Sequence, residues 1–123
     1  MKSKGKIFII DDEELVVSVL SKTLTKAGYE LNSVSNTDNL ISRIRSYSPD
    51  VVLLDINLPG KNGMDILREI RDKGIDTEVI MLTADITAET AVKAMKLGAA
   101  DYFTKPFNTE EMKIVISNII EKE

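Results

Sequence analysis

The sequence predicts an α/β domain: a doubly wound, five-stranded parallel sheet between two layers of helices, a three-layer αβα arrangement. Three observations carry that expectation. Apolar quartets at Ile7–Ile10, Val51–Leu54 and Val79–Leu82 read as strands buried on both faces, the habit of parallel sheets. The segments between them carry apolar residues at helical spacing, so strand and helix alternate five times, and parallel strands joined in this way need crossover helices on both faces. Finally, 123 residues shared among five such units leave about 25 each, enough for a strand, a helix and two short loops.

The first quartet runs into Asp11-Asp12, and the acids continue at Glu13 and Glu14, which suits the first turn of a helix. Val16, Val17, Leu20, Leu24 and Ala27 recur at helical spacing, and Gly28 stops that helix. Glu30 to Val34 is a weaker strand whose polar content fits an edge. Asn36 or Thr37 is expected to cap a second helix with Leu40, Ile41 and Ile44 facing inward, and Pro49 forbids its continuation. The central strand, Val51 to Leu54, ends in Asp55, with Pro59-Gly60 close behind. Ile66, Leu67 and Ile70 give a third helix ending near Gly74. The quartet at Val79–Leu82 ends in Thr83, and Ala88, Ala91, Val92 and Met95 mark a fourth helix closing at Gly98. Asp101-Tyr102-Phe103 is a short last strand followed by Thr104-Lys105-Pro106, and Met112, Ile116, Ile119 and Ile120 line one face of a fifth helix.

Composition excludes several function classes. The chain is 43% apolar and 29% charged, ordinary for one globular domain, and residues 1–123 are read as a single domain with a core of about 6–120. A net charge of −4 argues against nucleic acid as a direct partner. There is no Cys and no His, which removes disulfides, thiolate and imidazole metal sites, and imidazole general bases. No apolar run approaches a membrane span, and the basic amino terminus is followed by too few apolar residues for a secretory signal. The expected location is the cytoplasm.

In a parallel sheet every strand delivers its carboxyl end to one rim, where open α/β folds bind ligands. Asp11, Asp12, Asp55, Thr83 and Lys105 should therefore meet. Three carboxylates there repel one another, and burial disfavours their ionisation further. Without His or Cys the relief is a hard cation held by oxygens, and Mg²⁺, which takes one or two carboxylates plus phosphate oxygens, fits. Lys105 then supplies a positive charge and Thr83 a hydroxyl for an anion beside the metal. Those are the parts needed for phosphoryl transfer to a carboxylate. The plain structural readings stand beside this one: Asp11-Asp12 as a helix cap, Asp55 opening an Asx-turn, Lys105 on the surface, Tyr102 as packing. A calcium loop at Asp55 fails, with Pro59 and Ile66 at its fifth and twelfth positions.

The segments IFIIDDE, VVLLDINLPGKNG, VIMLTA and GAADYFTKPF, in this order, resemble the response regulator receiver domain, the CheY-like phosphoacceptor of two-component signalling, from about Lys6 to Ile120. The resemblance brings with it a flavodoxin-like sheet order of 2-1-3-4-5. It implies a phosphorylation-dependent switch in which Asp55 accepts a phosphoryl group from the phosphohistidine of a sensor histidine kinase or phosphotransfer protein. It further implies that Asp12 and Asp55 ligate Mg²⁺ directly, Asp11 mainly through water and Asn57 through its main-chain carbonyl. Lys105 would pair with the phosphoryl oxygens, Thr83 would donate to them, Ala84 would leave room beside Thr83, and Tyr102 would turn inward. The face of the fourth helix, last strand and fifth helix would then control an output domain or a separate target. The Lys105-Pro106 bond is often cis in the family. Asn57 and Asp85 would tune hydrolysis of the phosphoryl group. Ala100 and Val115 stand where one DNA-binding subfamily carries charges, against its mode of dimerisation. The chain would be no enzyme beyond its own phosphorylation and slow hydrolysis, and it stands either alone or as part of a longer regulator.

Two other readings compete. A phosphatase with a phosphoaspartate intermediate, like the haloacid dehalogenase-like hydrolases, wants an acid two residues after the nucleophile, where this chain has Asn57. A flavin-binding domain would bring its phosphate against carboxylates.

Overall fold

The computed structural model describes residues 3–84 and 87–121. These form five parallel strands, β1 (Lys6–Ile10), β2 (Glu30–Val34), β3 (Val51–Asp55), β4 (Glu78–Thr83) and β5 (Asp101–Thr104), and five helices, α1 (Glu14–Lys26), α2 (Leu40–Tyr47), α3 (Gly63–Asp72), α4 (Ala88–Lys96) and α5 (Thr109–Glu121). The sheet order is β2-β1-β3-β4-β5, the 2-1-3-4-5 order expected. The order reverses direction between β1 and β3, the crevice where such folds bind ligands.

The alternation of side chains along each strand divides the core in two. Phe8, Ile10, Val52, Leu54, Val79 and Met81 face one side, where they meet Leu40 and Ile44 of α2, Ile66, Leu67 and Ile70 of α3, and Ala94 of α4. Ile7, Ile9, Val51, Leu53, Ile80 and Leu82 face the other, against Leu20 and Leu24 of α1 and Met112 and Ile116 of α5. Every residue of β3 is buried, which is why its sequence is an unbroken apolar run rather than an alternation. β2 lies at an edge with much of its length exposed, as its polar content predicts.

Three local features differ from expectation or go beyond it. α2 starts at Leu40, not directly after Asn36 or Thr37. Asn36 Oδ1 instead accepts the Asp38 N–H at 3.0 Å, and Asn39 adopts a left-handed φ of 51°, so a turn comes before the helix. Asn57–Leu58 and Lys61–Asn62 form a small antiparallel hairpin across Pro59-Gly60, where Gly60 supplies a φ of +76° that a tight turn asks of glycine. In α4 the Ala88, Ala91, Val92, Met95 stripe is not the packed face. Val92 is 51% and Met95 49% exposed, and Ala94 is the buried residue, with Leu97 half-buried behind it. A small side chain at the contact lets the helix lie close to the sheet.

Candidate functional site

The strand ends are tied to one another by backbone hydrogen bonds. Asp11 N donates to Val34 O at 3.2 Å, Ile56 N to Leu82 O at 2.9 Å, and Lys105 N to Thr83 O at 2.7 Å. The rim is therefore one hydrogen-bonded edge, and the side chains expected there arrive together. Asp11 and Thr83 are fully buried and Asp55 is 4% exposed, while Asp12, next to Asp11, opens to solvent. One carboxylate oxygen from each of Asp11, Asp12 and Asp55 lies within 4.8 Å of the others.

Two of these acids also make local hydrogen bonds to the backbone that follows them. Asp11 Oδ1 accepts the Glu13 N–H at 2.9 Å, and Asp55 Oδ1 accepts the Asn57 N–H at 3.1 Å. Each is a local Asx-type turn, and each turn holds the other oxygen toward the centre. Lys105 Nζ stands there, 2.9 Å from Asp11 Oδ2 and 3.6 Å from Asp55 Oδ2. Asp11 Oδ2 is buried and accepts no hydrogen bond among the described residues, its contact with Lys105 being an ion pair without hydrogen-bond geometry. A buried oxygen of this kind, with two more carboxylates at hand, suits an oxygen-ligated divalent cation such as Mg²⁺.

The description "response regulator receiver domain" matches residues 7–117. The chain belongs to this family. Receiver domains are signalling domains of two-component response regulators, and this one has solved relatives of the same shape. A chain from Chloroflexus aurantiacus J-10-fl described as a response regulator is 28% identical, with 98% of this chain and 99% of that one covered and a TM-score of 0.89. The NtrX receiver domain from Brucella abortus is 29% identical, covering 95% and 99%, with a TM-score of 0.87. The chemotaxis protein CheY4 of Vibrio cholerae is 25% identical, covering 93% and 97%, with a TM-score of 0.84. Against a longer NtrX chain, 29% identical at a TM-score of 0.86, 96% of this receiver domain covers 27% of the relative. No helix among the described residues is long and apolar enough to cross a membrane.

The electrostatics of the receiver site follow from this packing. Burial pushes the Asp55 carboxyl above its ordinary 3.8. The Asn57 amide and Lys105 pull it down, Asp11 and Asp12 push it up, and the net direction is upward. For Lys105, burial alone would favour the neutral amine. The neighbouring Glu13 and Asp11 carboxylates outweigh it, so the ammonium is held above its ordinary 10.5.

Thr83 ends β4 beside Thr104 of β5, and exposed Ala84 follows it. Tyr102 is half-buried against the core on the α3 and α4 side. Asn57 is exposed in the small hairpin. Lys105-Pro106 is cis. Asp85 lies outside the described residues.

Two residues that lie against the candidate site escaped the sequence reading. Glu13 reads as a helix-start acid, yet its carboxylate makes no cap and lies on Lys105 Nζ at 2.6 Å. Gly63 begins α3 directly beneath Asp55: a Cβ there would strike the Asp55 carbonyl oxygen and come within 2.7 Å of Ile56 Cα. Asn62 caps the helix by accepting the Met64 N–H at 2.7 Å. An Asn-Gly pair after a turn was the signal available, though what it pointed to was a cap rather than a support for Asp55.

Proposed function

We propose that residues 1–123 act as one phosphorylation-dependent switch with Asp55 as phosphoacceptor. An oxygen of Asp55 attacks the phosphorus of a phosphohistidine on a sensor histidine kinase or phosphotransfer protein. The P–N bond breaks, its electron pair stays on the imidazole nitrogen, and an acyl phosphate forms on Asp55. The observation that carries this reading is the convergence of three carboxylates within 4.8 Å on a rim that also holds the Lys105 ammonium.

Asp12 and Asp55 would hold Mg²⁺ directly, with Asp11 acting through water and Asn57 through its main-chain carbonyl. When bound, the ion offsets the charge of the transferring group and of the acids. Lys105 pairs with a phosphoryl oxygen, and Thr83, buried at the end of β4, donates its hydroxyl to another. That demand on Thr83 draws Tyr102 inward and changes the α4–β5–α5 face, which acts on an output segment of a longer chain or on a separate target. The longer NtrX relative makes the first arrangement reasonable. We assign the exchange to the cytoplasm. Hydrolase turnover is disfavoured because Asn57, two residues after Asp55, offers no acid or base.

Incubation with acetyl phosphate and Mg²⁺ tests this reading by intact mass. The parent should gain one phosphoryl group, and Asp55→Asn should gain none. Equal labelling of Asp55→Asn would move the nucleophile elsewhere.

A further inference from the structure

Lys105 Nζ has three carboxylates around it, and the closest is the one the proposed chemistry leaves idle. Glu13 Oε1 lies at 2.6 Å, Asp11 Oδ2 at 2.9 Å and Asp55 Oδ2 at 3.6 Å. Glu13 Oε1 accepts a hydrogen bond from the ammonium, while the Asp11 and Asp55 carboxylates meet it as ion pairs. A phosphoryl oxygen that approaches Lys105 therefore competes with these carboxylates for the ammonium. Asp11 is buried and held by the Glu13 N–H, and Asp55 is itself the acceptor of the phosphoryl group. Glu13 differs from both. Its side chain is 57% exposed, and among the described residues its carboxylate hydrogen-bonds and ion-pairs with Lys105 alone. Its backbone keeps its own place in the structure, accepting the Val17 N–H at 3.1 Å, so the carboxylate can swing into water without disturbing the start of α1.

On the reading of Asp55 given above, we propose that Glu13 is a positioning residue: an exchangeable counter-ion that holds Lys105 while the site is unphosphorylated and gives it up to the phosphoryl group. The plain alternative is a surface ion pair of small stabilising value. The two readings part on function. A mere surface pair leaves phosphoryl affinity unchanged when removed. A place-holder competes with the phosphoryl group, and its removal favours the phosphorylated form.

The probe is beryllofluoride, a phosphoryl mimic, titrated at saturating Mg²⁺ and followed by backbone amide NMR, so that binding is read without turnover. Glu13→Gln should bind it about two- to fivefold more tightly than the parent, the range set by a single exposed ion pair. Glu14→Gln removes the same charge one residue along, from an exposed side chain with no ion pair to Lys105 among the described residues, and should bind like the parent. Glu13→Gln binding no more tightly than the parent overturns the proposal. So does an equal gain in Glu14→Gln, which would make the effect one of net charge. A parent that binds no beryllofluoride would overturn the phosphoacceptor reading and this inference with it, whereas a parent that binds beside an unaltered Glu13→Gln would overturn this inference only.

Discussion

At the scale of single residues, Asp55 is held at a cost. Its carboxyl is buried beside two other acids, and its pKa lies above the ordinary 3.8, so the folded chain binds this proton more tightly than the unfolded chain does. The contribution to stability is therefore fully present below pH 3.8 and is lost as pH rises through the folded value. Asp55→Asn keeps an oxygen for the Asn57 N–H while removing the charge. In EDTA at pH 7 it should unfold at higher urea than the parent, by about 1 kcal/mol, the scale on which relieving functional strain stabilises. Near pH 4 the gap should narrow. A gap that widened toward acid would mean that Lys105 stabilises the Asp55 charge more than burial destabilises it. Gly63 is the converse case, a residue whose lack of a side chain is needed. Gly63→Ala should cost about 1–3 kcal/mol, the usual range for overpacking, and should slow labelling by acetyl phosphate, because relief of the clash must push the end of β3. Urea curves and intact-mass time courses check both; a Gly63→Ala protein equal to the parent would show that the backbone yields freely there.

At the scale of elements, legibility tracked burial. Strands buried on both faces write continuous apolar runs, so β1, β3 and β4 and the rim residues that end them could be read directly. α4 could not be read so closely. Its sequence offers apolar residues at Ala88, Ala91, Val92 and Met95 and also at Ala94 and Leu97, and alanine carries little signal for choosing between faces. The structure packs Ala94 and fixes the C-terminal end of the helix from outside: Arg71 of α3 donates to Gly98 O at 3.0 Å and to Thr77 O at 2.8 Å. Gly98 has a φ of +98°, and a Cβ there would come within 3.0 Å of Arg71 Nε. With only one side chain buried, Ala94, the body of the helix is lightly held, and on the proposed function it would shift about its pinned C-terminal end when Thr83 is drawn to a phosphoryl group. Thr83→Ala should accept the phosphoryl group nearly as well as the parent, while the amide shifts that beryllofluoride produces around Tyr102 and α4 lose most of their amplitude. Shifts of parental size in Thr83→Ala would break the proposed link from Thr83 to this face.

At the scale of the whole molecule, the two-sided core and the rim have separate duties. Fully burying one aliphatic side chain contributes about 1.5–3 kcal/mol, and the quartets of β1, β3 and β4 hold twelve fully buried apolar residues, so the fold tolerates a rim crowded with like charge. That separation explains what the sequence revealed of the site. Asp11, Asp12, Asp55, Thr83 and Lys105 sit where strands must end, so fold and site were legible together. Glu13 and Gly63 were not, because their places beside the rim come from groups that approach them in space: a lysine arriving from the far end of the chain, and the backbone of β3. The central claim is that the sheet brings these groups together to make Asp55 the phosphoacceptor. Borohydride reduction of the acetyl-phosphate-treated protein, followed by peptide mass mapping, tests it most directly, since reduction marks the carbon that carried an acyl phosphate. The mark should fall on residue 55 and depend on Mg²⁺; a mark on Asp11 or Asp12, or one at residue 55 that is undiminished in EDTA, would contradict the account.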